Sequence, residues 1–490
     1  MSTRQLTLVG IAAVAAVALL RAIALLAPGA PSGIDGGNWL AFGTFARPGM
    51  TYPPLVPVLF AALVGLIGPV LATAVAGAAA AAAPALAVLG ALAWARRPVA
   101  GALAALAIVS ARAIGEIVAW GGYPQPVATA GAIVALVALA AWFVEGSRAA
   151  LATFAISFSA VVATSHLVAV PTTGAVVLIL VGALLASRGT CWRRAAAAAG
   201  ITLLPLLVLA PTYAALFSTL GGEGAGQAGD AERVLGLGWP LYVAILLAVP
   251  LGFAIAIRRR SRFEIAPHDL VLMVAASAAA VSWVLAYLVS GEPRLLHDVV
   301  VLTLFGAAAL APAIRSAVNP LNARRVLAAL AFAAVAILTA TGLAVFPDQV
   351  AYYHVLSSDE FTAIEWLRDN ASSQPRVILA ADERGVPVGW WVEGMVGQEV
   401  LFASDLRWLR FPSERDRALS ANRLLYQAGF PGGTSAATLY DAGVRFVFLP
   451  SAAAFGVDAA SPPSGWRVAF ASGDAIVVAP ETAVVARSVW

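Results

Sequence analysis

Gly33-Ile34-Asp35-Gly36-Gly37-Asn38-Trp39, followed by Arg47 and by Tyr52-Pro53-Pro54-Leu55, is a short polar island with a single aspartate between two strongly apolar segments. The side of a membrane on which it falls decides how the rest of the chain is threaded. The segment before it, residues 6 to 28, is apolar, with Arg4 ahead of it and Arg21 inside it. A cleaved leader has an apolar core of only about 7–15 residues, so this longer run reads as a retained helix. An arginine at the centre of a span costs about 2.5–3.5 kcal/mol, and Arg21 is therefore expected to face the bundle interior or reach toward an end. Beyond the island no charge occurs from Pro53 to Trp94, enough length for two spans at roughly 20 residues each. Arginine accumulates in cytoplasmic loops, however, and Arg4 and the Arg96-Arg97 pair share that side only if this run crosses once. Pro54 to about Gly68 is then expected to lie at, or re-enter, the outer face, with Pro69 to Trp94 as the second span. The island is extracytoplasmic on this reading.

Composition gives the class. Of 490 residues, 61% are hydrophobic and 11% charged, and the mean hydropathy of +0.87 lies outside the range of soluble domains. The chain reads as an integral membrane protein up to about Phe346 and as a soluble domain beyond it. The net charge of +4 comes from arginine alone, since there is no lysine. Those arginines sit in short runs between apolar segments, which orients helices and excludes a nucleic-acid groove. The single Cys191 excludes an internal disulfide and a cysteine metal cluster, and reads as a small filler at a helix end.

Further spans are expected near residues 98–115, 125–143, 149–168, 171–187, 195–218, 238–257, 269–290, 299–318 and 326–346. Expected inner loops carry Arg148; Arg188, Arg193 and Arg194; Arg258, Arg259, Arg260 and Arg262; and Arg315, Arg324 and Arg325. Outer loops carry only Arg47, Arg112, Arg233 and Arg294. That asymmetry predicts a polytopic α-helical membrane domain, residues 1–346, of about eleven transmembrane helices, with its first outer loop at 29–68 and its N-terminus in the cytoplasm. Residues 347–490 follow as a small extracytoplasmic α/β domain of a multi-pass protein of the cell membrane. The run of alanine and glycine from Ala76 to Ala83 suits close helix packing, and Gly221 to Gly229, with Glu223 and Asp230, reads as an outer loop.

In the soluble part Ser358-Asp359-Glu360 caps a helix running to Asn370. Arg376 to Ala380 and Val444 to Leu449 read as strands, Ser413 to Ala428 and Ala436 to Ala442 as helices, and 466–471 with 475–479 as a hairpin around Ser472-Gly473-Asp474. No GxGxxG, P-loop or CxxC motif occurs there, and no catalysis is assigned to this part.

The threading sorts the isolated polar groups onto one side. Asp35, Asn38, Trp39, Arg47 and Tyr52 fall in the first outer loop; Glu116, Trp120, Tyr123 and Gln125 in the second; His166 at the third; Glu292, Arg294, His297 and Asp298 in the fifth. Ionisable groups at membrane depth point to function. Each also has a structural alternative. Asp35 suits a turn or cap, Glu116 an interfacial position beside Trp120, His166 and His354 helix ends, and Glu292 with Arg294 a mutual surface pair.

In their order and sidedness these groups resemble the GT-C class of membrane glycosyltransferases, which includes oligosaccharyltransferases, protein mannosyltransferases and aminoarabinose transferases. The resembling stretches are Gly33-Ile34-Asp35-Gly36 after the first helix, Tyr52-Pro53-Pro54-Leu55-Val56-Pro57, Trp120-Gly121-Gly122-Tyr123-Pro124, Glu292-Pro293-Arg294, and Phe361 to Asn370 opening the soluble domain. The resemblance implies transfer of a sugar from a polyprenyl-phosphate-linked donor, on the outer face, to a glycan, lipid or protein acceptor. It makes Asp35 the general base, with inversion through an oxocarbenium-like state. Arg294 is implied to hold the donor phosphate, helped by His297, and Glu116 to be the second acidic residue. Tyr52, Trp120, Tyr123, His166 and Arg47 are the implied substrate-facing residues. The second loop has no DxD and the first a lone Asp35, which leaves a divalent metal, magnesium or manganese, open. A lipid or envelope-precursor transporter or flippase, or a non-catalytic assembly protein of the same fold, are the alternatives; a transporter would show inverted repeats and broken midplane helices.

Overall fold

The computed structural model describes the chain except residues 1, 48, 221–238, 259–265, 318–320, 372–375, 381–387, 405, 407–408, 410, 433 and 482–490. The expected outer loop at Gly221 to Gly229, and Arg233, Arg259, Arg260 and Arg262, lie outside the described residues. Backbone contacts divide the chain into two compact units. One comprises Met1–Ala24, Val75–Tyr213 and Gly222–Ala351; the other comprises Leu25–Ala74, Ala214–Gly221 and Tyr352–Trp490.

The first unit is helical. Its helices are α1 (Thr3–Leu26), α4 (Pro69–Trp94), α5 (Pro98–Ser110), α6 (Arg112–Ala119), α7 (Pro124–Glu145), α8 (Arg148–Thr164), α9 (His166–Ala186), α10 (Trp192–Val208), α11 (Ala210–Leu220), α12 (Trp239–Arg258), α13 (Pro267–Ser290), α14 (Leu296–Ala317) and α15 (Leu321–Tyr353), with α1, α4, α11 and α15 running on into the second unit. An apolar helix lies over each of the eleven expected spans. Among the described residues seven helices are long and apolar enough to cross a membrane, or nine if the bent pairs α5–α6 (45°) and α10–α11 (62°) each count as one span. α8 and α12 fall among the shorter apolar helices, so the expected number of eleven exceeds what length and composition support.

Arg21 turns inward, as its cost in lipid demands. It is fully buried, its Nη2 donates to Ala111 O at 3.0 Å, and its guanidinium lies 4.7 Å from the Phe346 ring centroid. Ala111 is where α5 breaks into α6, so the cation sits at the negative, C-terminal end of α5. Gln349 on α15 donates to the next carbonyl, Arg112 O, at 3.1 Å. Gly115 fits beneath these two side chains because it has none: a Cβ there would lie 2.6 Å from Gln349 Oε1 and 3.1 Å from Arg21 Nη1. The break that aims α6, and Glu116 upon it, is thereby fastened by α1 and α15.

The second unit joins the polar island to the C-terminal residues. α2 (Gly36–Thr44) and α3 (Leu55–Ile67) come from the island, and Gly68, at φ 77°, turns α3 directly into α4, a conformation that a residue with a Cβ resists. α16 (Ser358–Ala371), α17 (Val388–Val396), α18 (Pro412–Ala428) and α19 (Ser435–Asp441) surround a five-stranded sheet. Its strands are β1 (Val377–Leu379), β2 (Leu401–Phe402), β3 (Phe446–Leu449), β4 (Trp466–Ser472) and β5 (Ala475–Pro480), in the order β2-β1-β3-β5-β4. β1 runs parallel to β2 and β3, while β5 runs antiparallel to β3 and β4. Ile378, Val447, Trp466, Ile476 and Val478 form its buried core with Leu439 of α19. The expected strands, helices and hairpin are present; α17 and β2 were not expected.

α2 crosses α17 through glycine. A Cβ on Gly37 would lie 2.4 Å from the backbone nitrogen of Trp391, and one on Gly394 would lie 2.8 Å from Gly37 O. At Gly37 every atom within reach belongs to the backbone of Trp390 and Trp391, with no flexible side chain to yield. Gly37→Ala is accordingly expected to cost about 1–3 kcal/mol of stability, the usual range for overpacking, measurable as a lowered thermal midpoint of the purified protein in detergent.

Candidate functional site

In the helical unit two loops meet. The first is the turn between α6 and α7. Gly121 adopts φ 94°, Gly122 N donates to Ile117 O at 2.8 Å, and Tyr123 N donates to Gly121 O at 2.8 Å. Pro124 then opens α7 at a position where the missing N–H costs nothing, because first-turn amides have no acceptor within the helix. Gln125 follows at the start of α7. The second loop runs from Gly291 through a 3₁₀ turn at Pro293–Leu295 into α14. There the Glu292 carboxylate accepts from Arg294 Nε at 2.7 Å and Nη2 at 2.9 Å, so both oxygens engage one edge of the planar guanidinium.

Gln125 Nε2 joins the loops, donating to Arg294 O at 2.7 Å and to Asp298 Oδ2 at 3.1 Å. Thr129, one turn further along α7, donates to Asp298 Oδ1 at 2.7 Å, and Trp283 of α13 donates to Oδ2 at 3.2 Å. Asp298 is buried yet accepts three hydrogen bonds, the condition under which a polar group survives in an apolar interior. It fixes the first turn of α14 and with it the neighbouring His297. The imidazole Nδ1 lies 3.1 Å from Arg294 O; a carbonyl only accepts, so Nδ1 carries a proton. Nε2 then faces Glu116 Oε2 at 3.7 Å, beyond hydrogen-bond length, and Trp120 stands edge-on to the ring at 4.9 Å. The structure thus brings Glu116, Trp120, Arg294 and His297 together. Arg294 joins them through its backbone carbonyl, while its guanidinium is turned to Glu292. Tyr123 is buried immediately before α7, and His166 is buried in the first turn of α9.

The other sequence candidates belong to the second unit. Asp35 directly precedes α2, and its side chain makes no cap hydrogen bond to that helix. Its backbone carbonyl accepts from Trp39 N at 3.0 Å, so the peptide, not the carboxylate, serves the first turn. Tyr52 packs against Trp39 and Phe42, with ring centroids 4.7 and 6.0 Å apart. Arg47 is buried, its Nη2 lying 2.9 Å from Glu393 Oε2 and 3.2 Å from Glu414 Oε1, while Nη1 donates to Asn38. Arg417 pairs with the other oxygen of Glu393, and Trp390 Nε1 donates to Glu414. Two guanidinium groups thereby balance two buried carboxylates, and Arg47 anchors the island to α17 and α18.

Sequence reasoning does not single out Thr129, Trp283, Glu393, Glu414 or Trp391. A signal exists for some of them. Gln125 and Thr129 are four apart on one helix face, and Glu393 is a lone acid in an otherwise apolar helix, which requires a cation. Among the described residues no three His, Cys, Asp or Glu side chains converge as ligands for one metal ion; Glu116 and His297 make only a pair.

No protein-family description and no curated protein matches this sequence. Solved structures do match. ArnT from Cupriavidus metallidurans bound to undecaprenyl phosphate is similar with a TM-score of 0.55 at 14% identity, over 96% of this chain and 97% of that one. Its apo state gives the same score and coverage at 15% identity. The Archaeoglobus fulgidus oligosaccharyltransferase matches with a TM-score of 0.41 at 13% identity, over 88% of this chain and 67% of that one. The chain has an ArnT-like fold, a polytopic helical membrane domain with a small sheet near the C-terminus, as the resemblance to GT-C proteins implies.

Burial raises the Glu414 carboxyl above its ordinary range, against the opposing pull of Arg47 and the Trp390 hydrogen bond. Folding therefore favours the protonated form. The associated stability is complete below the ordinary glutamate range and is lost as pH rises through the raised value. Glu414→Gln has no such proton to lose. Its stability relative to the unaltered protein should rise across that pH window, as read by thermal unfolding at a series of pH values.

Proposed function

We propose that the chain is a membrane glycosyltransferase of GT-C type that moves a sugar from a polyprenyl-phosphate-linked donor to an extracytoplasmic acceptor, with inversion at the anomeric carbon. The observation that carries this reading is the end-to-end likeness to ArnT, a protein solved with undecaprenyl phosphate bound. The buried polar cluster around Arg294 and His297 supports it independently. The reading puts the protein in the cell membrane, with the N-terminus in the cytoplasm and the C-terminal residues outside, and rests for this on the arginine asymmetry between loops.

In this mechanism Asp35 takes the proton from the acceptor's hydroxyl or amine as that atom bonds to the anomeric carbon. The carbon–oxygen bond to phosphate breaks on the opposite face, and its electron pair leaves with the lipid phosphate. Phosphate is a good leaving group and needs no general acid. Arg294, oriented through Glu292, supplies charge-assisted hydrogen bonds to the departing phosphate. Glu116 and His297 adjust charge beside it, and Trp120 and Tyr123 border the sugar. The two-residue donor set of Glu116 and His297 does not fit a divalent ion unaided, and no step uses one.

Asp35→Asn should lower sugar transfer from undecaprenyl-phosphate-linked sugars in membranes by about 10²–10⁴-fold while leaving the folded yield intact. Retained transfer would overturn Asp35 as the base. Arg294→Lys keeps the charge but loses the fork, and it should weaken retention of undecaprenyl phosphate by the purified protein, measured by equilibrium binding.

A further inference from the structure

We infer that Trp391, on α17 of the C-terminal part of the chain, is a positioning residue for Asp35, so that residues distant in sequence and without chemistry of their own govern the carboxylate. The inference rests on Asp35 acting as the base. Trp391 is fully buried. Its Nε1 donates to Gly33 O at 3.2 Å, two residues before Asp35. Its six-membered ring lies against Gly36, one residue after: a Cβ there would meet the ring at 2.5 and 2.9 Å. Its backbone nitrogen faces Gly37, where a Cβ would lie 2.4 Å away. A single residue therefore touches the chain on both sides of Asp35 through three different groups.

The surroundings leave that segment few other choices. Gly33 is at φ 90°, a turn that glycine alone adopts readily, and the indole N–H fixes the carbonyl that this turn directs inward. Upstream, Ser32 Oγ donates to Leu25 O at 2.7 Å and Ser358 Oγ to Pro28 O at 3.4 Å. Downstream, Gly394 packs on Gly37 O and Leu40. Asp35 itself contributes only its backbone carbonyl to α2. The peptides at positions 33 and 36 set the backbone from which the Asp35 side chain projects, and Trp391 holds both. The neighbouring Trp390 differs. Its N–H goes to Glu414, in the ion network that anchors Arg47, and it meets the Asp35 segment only through its backbone carbonyl carbon, which faces Gly37, so its side chain serves the ion network.

The test compares Trp391→Ala, Trp391→Phe, Trp390→Phe and Asp35→Asn in the full-length protein. Two readouts are taken: steady-state transfer from undecaprenyl-phosphate-linked sugar, and the pH dependence of carbodiimide labelling of Asp35, followed by peptide mass spectrometry. Misplacing a reacting group by about 1 Å costs up to roughly 100-fold in rate. Trp391→Ala should therefore lower kcat by about 10-fold or more with the donor KM nearly unchanged, and should move the midpoint of Asp35 labelling. Trp391→Phe keeps an aromatic ring in the site but loses the bond to Gly33 and the far edge of the indole that lies on Gly36, so it should recover only part of the rate. Trp390→Phe should lower the thermal midpoint and leave the labelling profile in place. If Asp35→Asn is inactive while both Trp391 variants retain the original kcat and labelling profile, the positioning role is overturned and the base is not. If Asp35→Asn stays active, the reading of Asp35 fails, whatever the tryptophan variants do. Should Trp391→Ala not fold, Trp391→Phe decides, since an unaltered kcat and labelling profile in that variant alone overturns the role.

Discussion

A charged or hydrogen-bonding group placed in an apolar interior must find its partner inside the protein, because no water is there to serve as one. That requirement explains the most informative positions of this chain. Arg21 pays for its depth with a carbonyl at the end of α5 and an aromatic face. Asp298 has Gln125, Thr129 and Trp283, and Arg47 has Glu393 and Glu414. Each set fixes the relative placement of helices that apolar packing alone would leave free to slide. The polar groups specify the arrangement, and the apolar ones hold it together.

The same groups differ in what they leave available. Arg47 and Glu393 are paired with one another and with neighbours inside the same unit. Asp298, though ionisable, is occupied by neutral donors. The Asp35 carboxylate is not engaged by the helix it precedes, and Arg294, on a side chain that is 30% exposed, is paired with Glu292 two residues away.

Much of the fold is legible in the sequence because its signals are local. Apolar runs and the arginines between them delimit the helices, and Gly121-Gly122 with Pro124, or Gly291 with Pro293, mark the turns that carry the site. Proximity between distant segments is not legible. Thr129 and Asp298 are 169 residues apart, and nothing in the spacing of either predicts the other. α17 escapes notice for a different reason: Val388-Gly389-Trp390-Trp391-Val392 is short and apolar on every side, so its periodicity distinguishes neither helix nor strand. Arg47 resembles a substrate ligand for as long as its buried carboxylates, contributed by α17 and α18, are out of view. The likeness to ArnT at 14% identity shows how little of the fold depends on particular apolar residues, many of which exchange freely at similar volume.

The second unit is assembled from pieces that lie far apart along the chain, and this imposes an order on its making. Arg47 and Glu393 are separated by 346 residues. At about 5–20 residues per second, a ribosome delivers the second partner roughly 17 to 70 seconds after the first. Throughout that interval the segment bearing Asp35 has neither its ion pair nor its tryptophan. The helices of the bundle are synthesised in between, so the loop bearing Asp35 is among the first parts of the protein to emerge and among the last to acquire its shape.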